Sequence, residues 1–185
     1  TYLGGSDMAA ALGMSKYKTP FQLWKEKTGR CHAQTETKQM IRGTKLEPIV
    51  RALVAKSFET ISNVNVIHNV RISDKNLSFI SGELDGIASI GDLLFVLEYK
   101  TASVHTMKNF GEEYTNQIPI EYTIQCQTYM HLANASKAFV GAYFLDDDVH
   151  WPDLEKIIDS GKMTHNEIAS FIQKNNVGNF KMFIV

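Results

Sequence analysis

This sequence has little cysteine and no long apolar run. Cys31 and Cys126 are the two cysteines among 185 residues, and their spacing matches neither a disulfide framework nor a cysteine-rich metal site. No apolar segment approaches the roughly 18 residues that suggest a membrane span. No basic-then-apolar signal sequence stands at the start. We therefore expect a reducing, cytoplasmic setting and no membrane partner.

An excess of positive charge is also missing, because the net charge is −1. This argues against a generally basic nucleic-acid-binding protein. The charges are nevertheless uneven: residues 1–56 hold ten Lys or Arg and four Asp or Glu, whereas the remainder holds nine and sixteen. Such asymmetry is compatible with a DNA-facing half and equally with a solvated, lysine-rich surface.

The composition that is present is that of an ordinary globular domain. Hydrophobic residues make up 44% and charged residues 21% of the chain, which is typical of folded proteins. The length predicts a single domain over residues 1–185. The chain begins without Met and ends on the apolar, strand-like run 180–185. We expect a fragment, or a chain lacking a short stretch at either end.

A β-hairpin is predicted between Gly82 and Ala102, with its turn at Gly91-Asp92 between two apolar runs. Asp85 lies on the first strand, and Glu98 and Lys100 lie on the second. Because side chains alternate along a strand, Glu98 and Lys100 share one face and Tyr99 points to the other. A carboxylate on each strand with an ammonium beside the second forms a compact metal-plus-lysine site. A surface hairpin with an ordinary Glu–Lys pair is the alternative.

Hydrophobic periodicity and capping signals predict the remaining elements. The predicted helices cover residues 8–12 (capped by Ser6 or Asp7), 19–28 (capped by Thr19), 37–59, 119–133, 151–161 and 164–175. The predicted strands outside the hairpin cover residues 64–72, 77–80, 138–145 and 180–185.

Four features of these elements concern the site. Gly43 and Pro48 are expected to break the third helix, which places Glu47 at a break or a fresh start. Tyr122, Gln125 and Tyr129 share one face of the fourth helix. Phe21 and Trp24 are predicted to lie in the core. The acidic run 146–148 is interpreted as a solvated loop in preference to a cation site.

The pattern Asp85, twelve intervening residues, then Glu98-Tyr99-Lys100 resembles the core of the PD-(D/E)XK nuclease superfamily, although Leu84 stands where a proline is usual. Six pieces in order resemble the phage-type exonuclease family that includes lambda exonuclease and the YqaJ-like viral recombinases. They span about residues 4–145 and read G-G-S-D, S-K-Y-K-T-P-F-x-L-W, R-G-T-K-L-E-P, E-L-D-G, L-E-Y-K-T and P-x-x-Y-x-x-Q-C-Q-x-Y-M.

The resemblance implies a fold and a set of roles. The fold is α/β: a restriction-endonuclease-like core with a central mixed sheet of about five strands, flanked by helices that deliver Glu47 and Gln125 from one side. The implied metal ligands are Asp85, Glu98, the Tyr99 carbonyl and Glu47. The other implied roles are Lys100 for the attacking water and phosphate charge, Gln125 for the lysine or phosphate, Ser6 for a DNA phosphate, and Tyr122 and Tyr129 as site-lining residues.

The chemistry agrees with that arrangement. Phosphodiester cleavage needs an in-line water and stabilisation of negative charge, which Mg²⁺ held by carboxylates provides, with Mn²⁺ as a substitute. The six histidines are too scattered along the sequence to suggest zinc: His32, His68, His105, His131, His150 and His165. A lysine among carboxylates stays charged, so Lys100 is expected to act electrostatically.

The function implied by the resemblance is Mg²⁺-dependent exonuclease activity on linear double-stranded DNA ends, with 5′-to-3′ polarity, in phage recombination or repair. The implied partners are DNA ends, a single-strand annealing recombinase and further copies in a ring. The implied location is the cytoplasm of a bacterial or phage-infected cell. A structure-specific or restriction-type endonuclease and a non-catalytic DNA-binding module remain alternatives.

Overall fold

The computed structural model describes residues 2–31, 35–146 and 148–185. The α-helices are α1 (Gly5–Ala11), α2 (Pro20–Lys27), α3 (Lys38–Ser57), α4 (Ile120–Ala133), α5 (Trp151–Asp159) and α6 (His165–Asn175), with a 3-10 helix at Val104–Asn109. The strands are β1 (Val64–Ser73), β2 (Ser81–Ile90), β3 (Leu93–Ser103), β4 (Lys137–Leu145) and β5 (Asn179–Ile184). Over these described ranges, no helix combines the length and apolarity that crossing a membrane requires.

The five strands form one mixed sheet in the order β1-β2-β3-β4-β5. Neighbouring strands are antiparallel except β3 and β4, which are parallel. The parallel pair needs a crossover, and α4 supplies it. The helices pack on both faces of this sheet, which confirms the predicted α/β fold class.

Side-chain alternation along β3 divides the core into two clusters. Leu97 and Tyr99 pack with residues of α3, α5 and α6 on one face. Val96 packs with residues of α4 on the other face. Since Glu47 lies on α3 and Gln125 on α4, the prediction that helices deliver both residues from one side is wrong. They approach from opposite faces, and the sheet separates their helices.

Helix α3 is continuous through both Gly43 and Pro48, so the predicted break is wrong. Proline removes one backbone hydrogen bond, but the turns that follow bury Ile49, Val50 and Leu53 completely. Tertiary packing of that face outweighs the local cost. Glu47 therefore lies within a regular helix.

Two smaller expectations near the sheet also fail. Residues 77–80 form a turn that ends in a single bridge between Leu3 and Ile80, and they do not form a strand. The cap of α1 is Gly4, whose backbone nitrogen donates to the Asp7 carboxylate at 2.9 Å, so neither Ser6 nor Asp7 is the capping position. The hairpin and the Thr19 cap of α2 are as predicted. Helix α6 begins with a capping box formed by Thr164 and Glu167.

The aromatic residues of α2 lie outside the core, contrary to prediction. Leu23 is buried, whereas Phe21 and Trp24 are 63% and 47% exposed. Only one stripe of this eight-residue helix contacts the domain, and hydrophobicity alone does not identify which one.

Gly5 of α1 and Gly82 of β2 both border the Tyr129 ring of α4. A methyl group added at Gly5 would lie 2.3 Å from that ring, and one added at Gly82 would lie 2.8 Å from it. Both distances are shorter than van der Waals contact. The absence of a side chain at these positions allows α1, β2 and α4 to meet.

We predict that Gly5→Ala destabilises the protein by about 1–3 kcal/mol, because overpacking forces Tyr129 out of its position. Gly43→Ala is the matched control: its added methyl would lie 3.5 Å from Thr101 Oγ1, and alanine favours the helix by about 0.5–1 kcal/mol. Urea denaturation measures both changes. Equal stability of the two variants would contradict the described packing.

Candidate active site

The site begins where the ladder between β2 and β3 ends. Antiparallel pairing runs from Ile90–Leu93 to Gly86–Leu97 and then stops. The next two residues are Asp85 and Glu98. Beyond this point the Tyr99 backbone nitrogen donates to Asp85 Oδ2 at 2.7 Å. The Asp85 carboxylate thus takes the place of a β2 backbone group as the hydrogen-bond partner of Tyr99. It links β2 and β3 at the point where they diverge.

The ladder between β1 and β2 is interrupted at this position: His68 pairs with Gly86 and Val70 with Leu84, and the pairing omits Asn69 and Asp85. Leu84 and Ile87 are three residues apart, yet both pack against the α4 cluster. Ideal alternation would place them on opposite faces. The neighbouring β1 residue Asn69 has a positive φ of 54°. The irregularity sets Asp85 apart from the ideal strand that the sequence predicts.

Asp85 lies in an environment that disfavours its charge. Burial raises the pKa of its carboxyl, and the negative charge of Glu98 raises it further. The hydrogen bond from Tyr99 N and the charge of Lys100 oppose these effects, and the pKa settles at about 7. Two carboxylates are therefore close enough to repel each other.

Glu98 is the most enclosed acidic residue of the site, with 2% of its surface exposed. Its Oε1 atom accepts hydrogen bonds from Lys100 Nζ at 2.5 Å and from Gln125 Nε2 at 2.7 Å. Gln125 Oε1 in turn accepts from Lys100 Nζ at 3.2 Å. The three side chains contact one another in a closed triangle, as the shared strand face and the α4 periodicity allow.

Lys100 remains protonated in this environment. Burial alone would lower the pKa of its ammonium, but the charges of Glu98 and Asp85 and the hydrogen bond to Glu98 outweigh burial and raise it well above its ordinary value. The ammonium also lies 5.1 Å from the centroid of the Tyr122 ring. Lys100 is thus a fixed positive charge and a poor proton acceptor.

Asp85 also borders an open cleft of about 430 Å³. The cleft is lined by Glu47, Asn69, Arg71, Glu83, Leu84 and Asp85. Glu47 reaches it from α3. Arg51, one turn later, lies 3.4 Å from Glu47 Oε1 and donates to Asn69 Oδ1 at 3.3 Å. The Glu47 carboxylate is 42% exposed, so it can change position without leaving the cleft.

The residues present fit a hard divalent cation. Glu98 Oε2 is buried and has no hydrogen-bond partner among the residues that the structure describes, which is rare for a carboxylate oxygen. Asp85 adds a second carboxylate whose ionisation a cation would favour. Three acidic, histidine or cysteine side chains do not converge anywhere in the described part of the chain. Two carboxylates leave the remaining positions around a cation to water, an arrangement that Mg²⁺ accepts.

Four other predicted residues are placed as follows. Tyr129 accepts a hydrogen bond from Gln125 Nε2 at 3.4 Å and fills the space between Gly5 and Gly82. Ser6 is exposed on α1. Asp146 Oδ1 accepts from the backbone nitrogens of Asp148 and Val149, as expected of a loop, whereas Asp147 lies outside the described residues.

The sequence interpretation missed the residues that surround Glu47 and Tyr99. Arg51 was detectable from its i, i+4 spacing to Glu47. Arg71 lies opposite Glu83 in the β1–β2 register, and Asn69 lines the same cleft. His68 Nδ1 lies 3.3 Å from the Tyr99 hydroxyl, and burial followed by the charge of Arg51 lowers the pKa of this histidine. No sequence signal marked the His68–Tyr99 contact.

The mixed five-stranded sheet with helices on both faces is a restriction-endonuclease-like α/β fold. Residues 1–136 match the family described as the YqaJ-like viral recombinase domain. The chain belongs to this family, which confirms the resemblance found in its sequence.

An individual relative is similar to most of the chain. The chain is 31% identical over 158 residues to the protein named "Uncharacterized protein YqaJ" from Bacillus subtilis (strain 168); the match covers 83% of this chain and 47% of that protein. The chain thus spans about half the length of this relative.

Two solved structures share the fold. An alkaline exonuclease (LHK-Exo) from Laribacter hongkongensis is 18% identical with a TM-score of 0.57, covering 95% of this chain and 93% of that one. A phage-related exonuclease from Haemophilus somnus 129PT is 15% identical with a TM-score of 0.56, covering 99% and 84%.

The raised pKa of Asp85 makes stability depend on pH. Between its unfolded value near 4 and its folded value of about 7, the folded state retains a proton that the unfolded chain releases. Stability is therefore lost as pH rises through this window. We predict that Asp85→Asn, in EDTA, is more stable than the wild type at pH 8 by about 1–2 kcal/mol and nearly equal to it at pH 4.

Chemical denaturation at both pH values measures this difference. Asp92→Asn, in the exposed hairpin turn, is the matched control and should follow the wild type. A pH-independent effect of Asp85→Asn would rule out the described repulsion.

Proposed function

We propose that this chain is a Mg²⁺-dependent deoxyribonuclease that hydrolyses phosphodiester bonds of linear double-stranded DNA from its ends. The observation that carries the proposal is the convergence of Asp85, Glu98, Lys100 and Gln125 where β2 and β3 diverge. Membership of the YqaJ-like family supports it, as does a fold shared with two proteins named as exonucleases.

The cation would be held by Asp85, Glu98 and the Tyr99 carbonyl, with Glu47 as a further ligand directly or through water; Mn²⁺ would substitute for Mg²⁺. When bound, the ion supplies Lewis-acid polarisation of the phosphate and of the attacking water. Glu98 Oε2 is the best-prepared ligand atom, because it is buried and has no other partner. Glu47 is the most adjustable ligand, because only a 3.4 Å contact to Arg51 holds it.

Lys100 and Gln125 prepare the side of the site that faces α4. The permanent charge of Lys100 offsets negative charge that gathers on the phosphate, and its hydrogens orient the attacking water. Gln125 holds Lys100 and Glu98 at once, so it fixes the distance between the charge and the carboxylate. The Tyr122 ring makes a cation–π contact with the Lys100 ammonium. Ser6 remains a proposed contact to a DNA phosphate, and Tyr129 a packing residue of the site.

The family resemblance adds the finer proposals. These are degradation from a 5′ end, a role in phage recombination or repair inside a bacterial or infected cell, a ring of several copies and cooperation with a single-strand annealing recombinase.

We predict that the purified protein, given Mg²⁺, degrades end-labelled linear duplex and leaves covalently closed circular DNA intact, and that EDTA stops degradation. Gel analysis of both substrates measures this, and the position of the label gives the polarity. Cleavage of the circle would replace the exonuclease proposal with an endonuclease. Binding to ends without product in any divalent metal would reduce the chain to a DNA-binding module.

Lys100→Ala is expected to lower the cleavage rate at least about 100-fold, because a preorganised charge at the reacting phosphate is lost. Lys108→Ala, at an exposed position of the 3-10 helix, should cleave like the wild type. Circular dichroism checks that both variants fold. A folded Lys100→Ala protein that cleaves DNA at the wild-type rate would contradict the assignment of this site.

Gln125→Ala is expected to reduce cleavage about tenfold to 100-fold, because Lys100 and Glu98 lose their common hydrogen-bond partner. Gln127→Ala is the matched control on the exposed face of the same helix and should retain activity. Single-turnover rates at saturating DNA separate this positioning effect from weaker binding. Equal rates for the two glutamine variants would show that the triangle is dispensable.

A further inference from the structure

Helix α2 and the loop before it carry an exposed row of aromatic and basic side chains, which we name the aromatic–basic face: Tyr17, Phe21, Trp24, Lys25 and Arg30. The three rings are 85%, 63% and 47% exposed, respectively. Single exposed apolar residues are common on protein surfaces, but a contiguous group of large rings is a mark of a binding surface.

The rings and cations of this face are ordered against each other. Phe21 and Trp24 stack with their centroids 5.6 Å apart and their planes inclined by 17°. Lys25 Nζ lies 5.1 Å from the Phe21 centroid, and Arg30 Cζ lies 4.7 Å from the Trp24 centroid. Flat rings interleaved with cations are the surface that binds a polyanion carrying planar bases.

The nearby acidic side chains leave this positive charge largely intact. Glu26 forms an ion pair with Lys18, and Asp7 forms one with Lys27. Within the described parts of the chain, Lys25 and Arg30 form no ion pair with a carboxylate. The cations over the two rings are thus available to phosphate groups.

The face is joined to the candidate active site through the start of α4. The Lys16 backbone nitrogen donates to Glu121 Oε1 at 3.2 Å. Glu121 adjoins Tyr122, whose ring lies under the Lys100 ammonium. The loop before α2 is thereby attached to the start of α4, the helix that carries Tyr122 and Gln125.

We propose that the aromatic–basic face binds single-stranded DNA beside the active site, an inference that rests on the proposed nuclease function. Bases in a duplex stack on each other and present only their edges, whereas an unpaired base has a free face that can stack on the outer plane of the Arg30 guanidinium, which lies over the Trp24 ring. Removal of one strand from a duplex end creates such a single strand next to the site. The face holds it by stacking and by phosphate contacts, with little dependence on sequence.

Binding of a fluorescein-labelled oligothymidine to the full chain, measured by anisotropy in EDTA, tests the proposal without cleavage. The double variant Phe21→Leu, Trp24→Leu keeps the apolar character and removes the rings. We expect it to raise the Kd at least about tenfold. Phe21→Tyr with Trp24→Phe keeps the rings and should restore binding. Ile67→Ala, which truncates an exposed apolar residue of β1, should leave the Kd unchanged.

The contribution of the cations is measured separately, through the salt dependence of the Kd. Lys25→Ala with Arg30→Ala is expected to decrease the slope of log Kd against log salt by about 0.7 for each phosphate that the variant no longer neutralises. Lys156→Ala, on the exposed part of α5, should leave the slope unchanged.

Wild-type oligothymidine affinity of the leucine variant would overturn the proposal. If this variant also changes its sedimentation coefficient, the face is instead an interface between copies of the chain. Cleavage of linear duplex in Mg²⁺ is measured in parallel. A chain that cleaves but does not bind through this face disproves the inference alone, and a chain that binds through it without cleaving disproves the nuclease function alone.

Discussion

The hydrogen bond from the Tyr99 backbone to the Asp85 carboxylate is the contact on which the rest of the site depends. Sheet twist separates two strands beyond the end of their ladder, and a buried backbone N–H left there without a partner would be costly. The carboxylate satisfies it and is thereby drawn toward Glu98. This bond marks the end of the ladder and holds Asp85 where burial, and next the charge of Glu98, raise the pKa of its carboxyl.

The sheet itself divides the site into two differently built walls. On the α4 side, Glu98, Lys100 and Gln125 are held by mutual hydrogen bonds. On the α3 side, Glu47 borders an open cleft and lies 3.4 Å from Arg51. Because β3 points alternate residues to the two faces, Tyr99 supports the α3 wall while its neighbours on either side form the α4 wall.

Local periodicity accounts for the parts of this arrangement that the sequence predicted. Alternation along β3 placed Glu98 and Lys100 together, and the helical repeat placed Gln125 beside Tyr129. The errors have non-local causes. Packing of Ile49 and Leu53 keeps α3 continuous through Pro48, and no local signal fixes the sheet face that α3 covers. The exposure of Phe21 and Trp24 depends on how one short helix docks, which apolar character alone does not reveal.

The triangle of Glu98, Lys100 and Gln125 has a consequence for how a substrate is received. These side chains lose their rotational freedom during folding, so little further ordering entropy is lost when a ligand arrives. Their dipoles and charges are already oriented, which keeps the reorganisation energy at this wall small. Glu47, by contrast, retains its freedom until a ligand fixes it. Under the proposed function, the site would combine a rigid electrostatic template on the α4 side with one adjustable carboxylate, Glu47, on the α3 side.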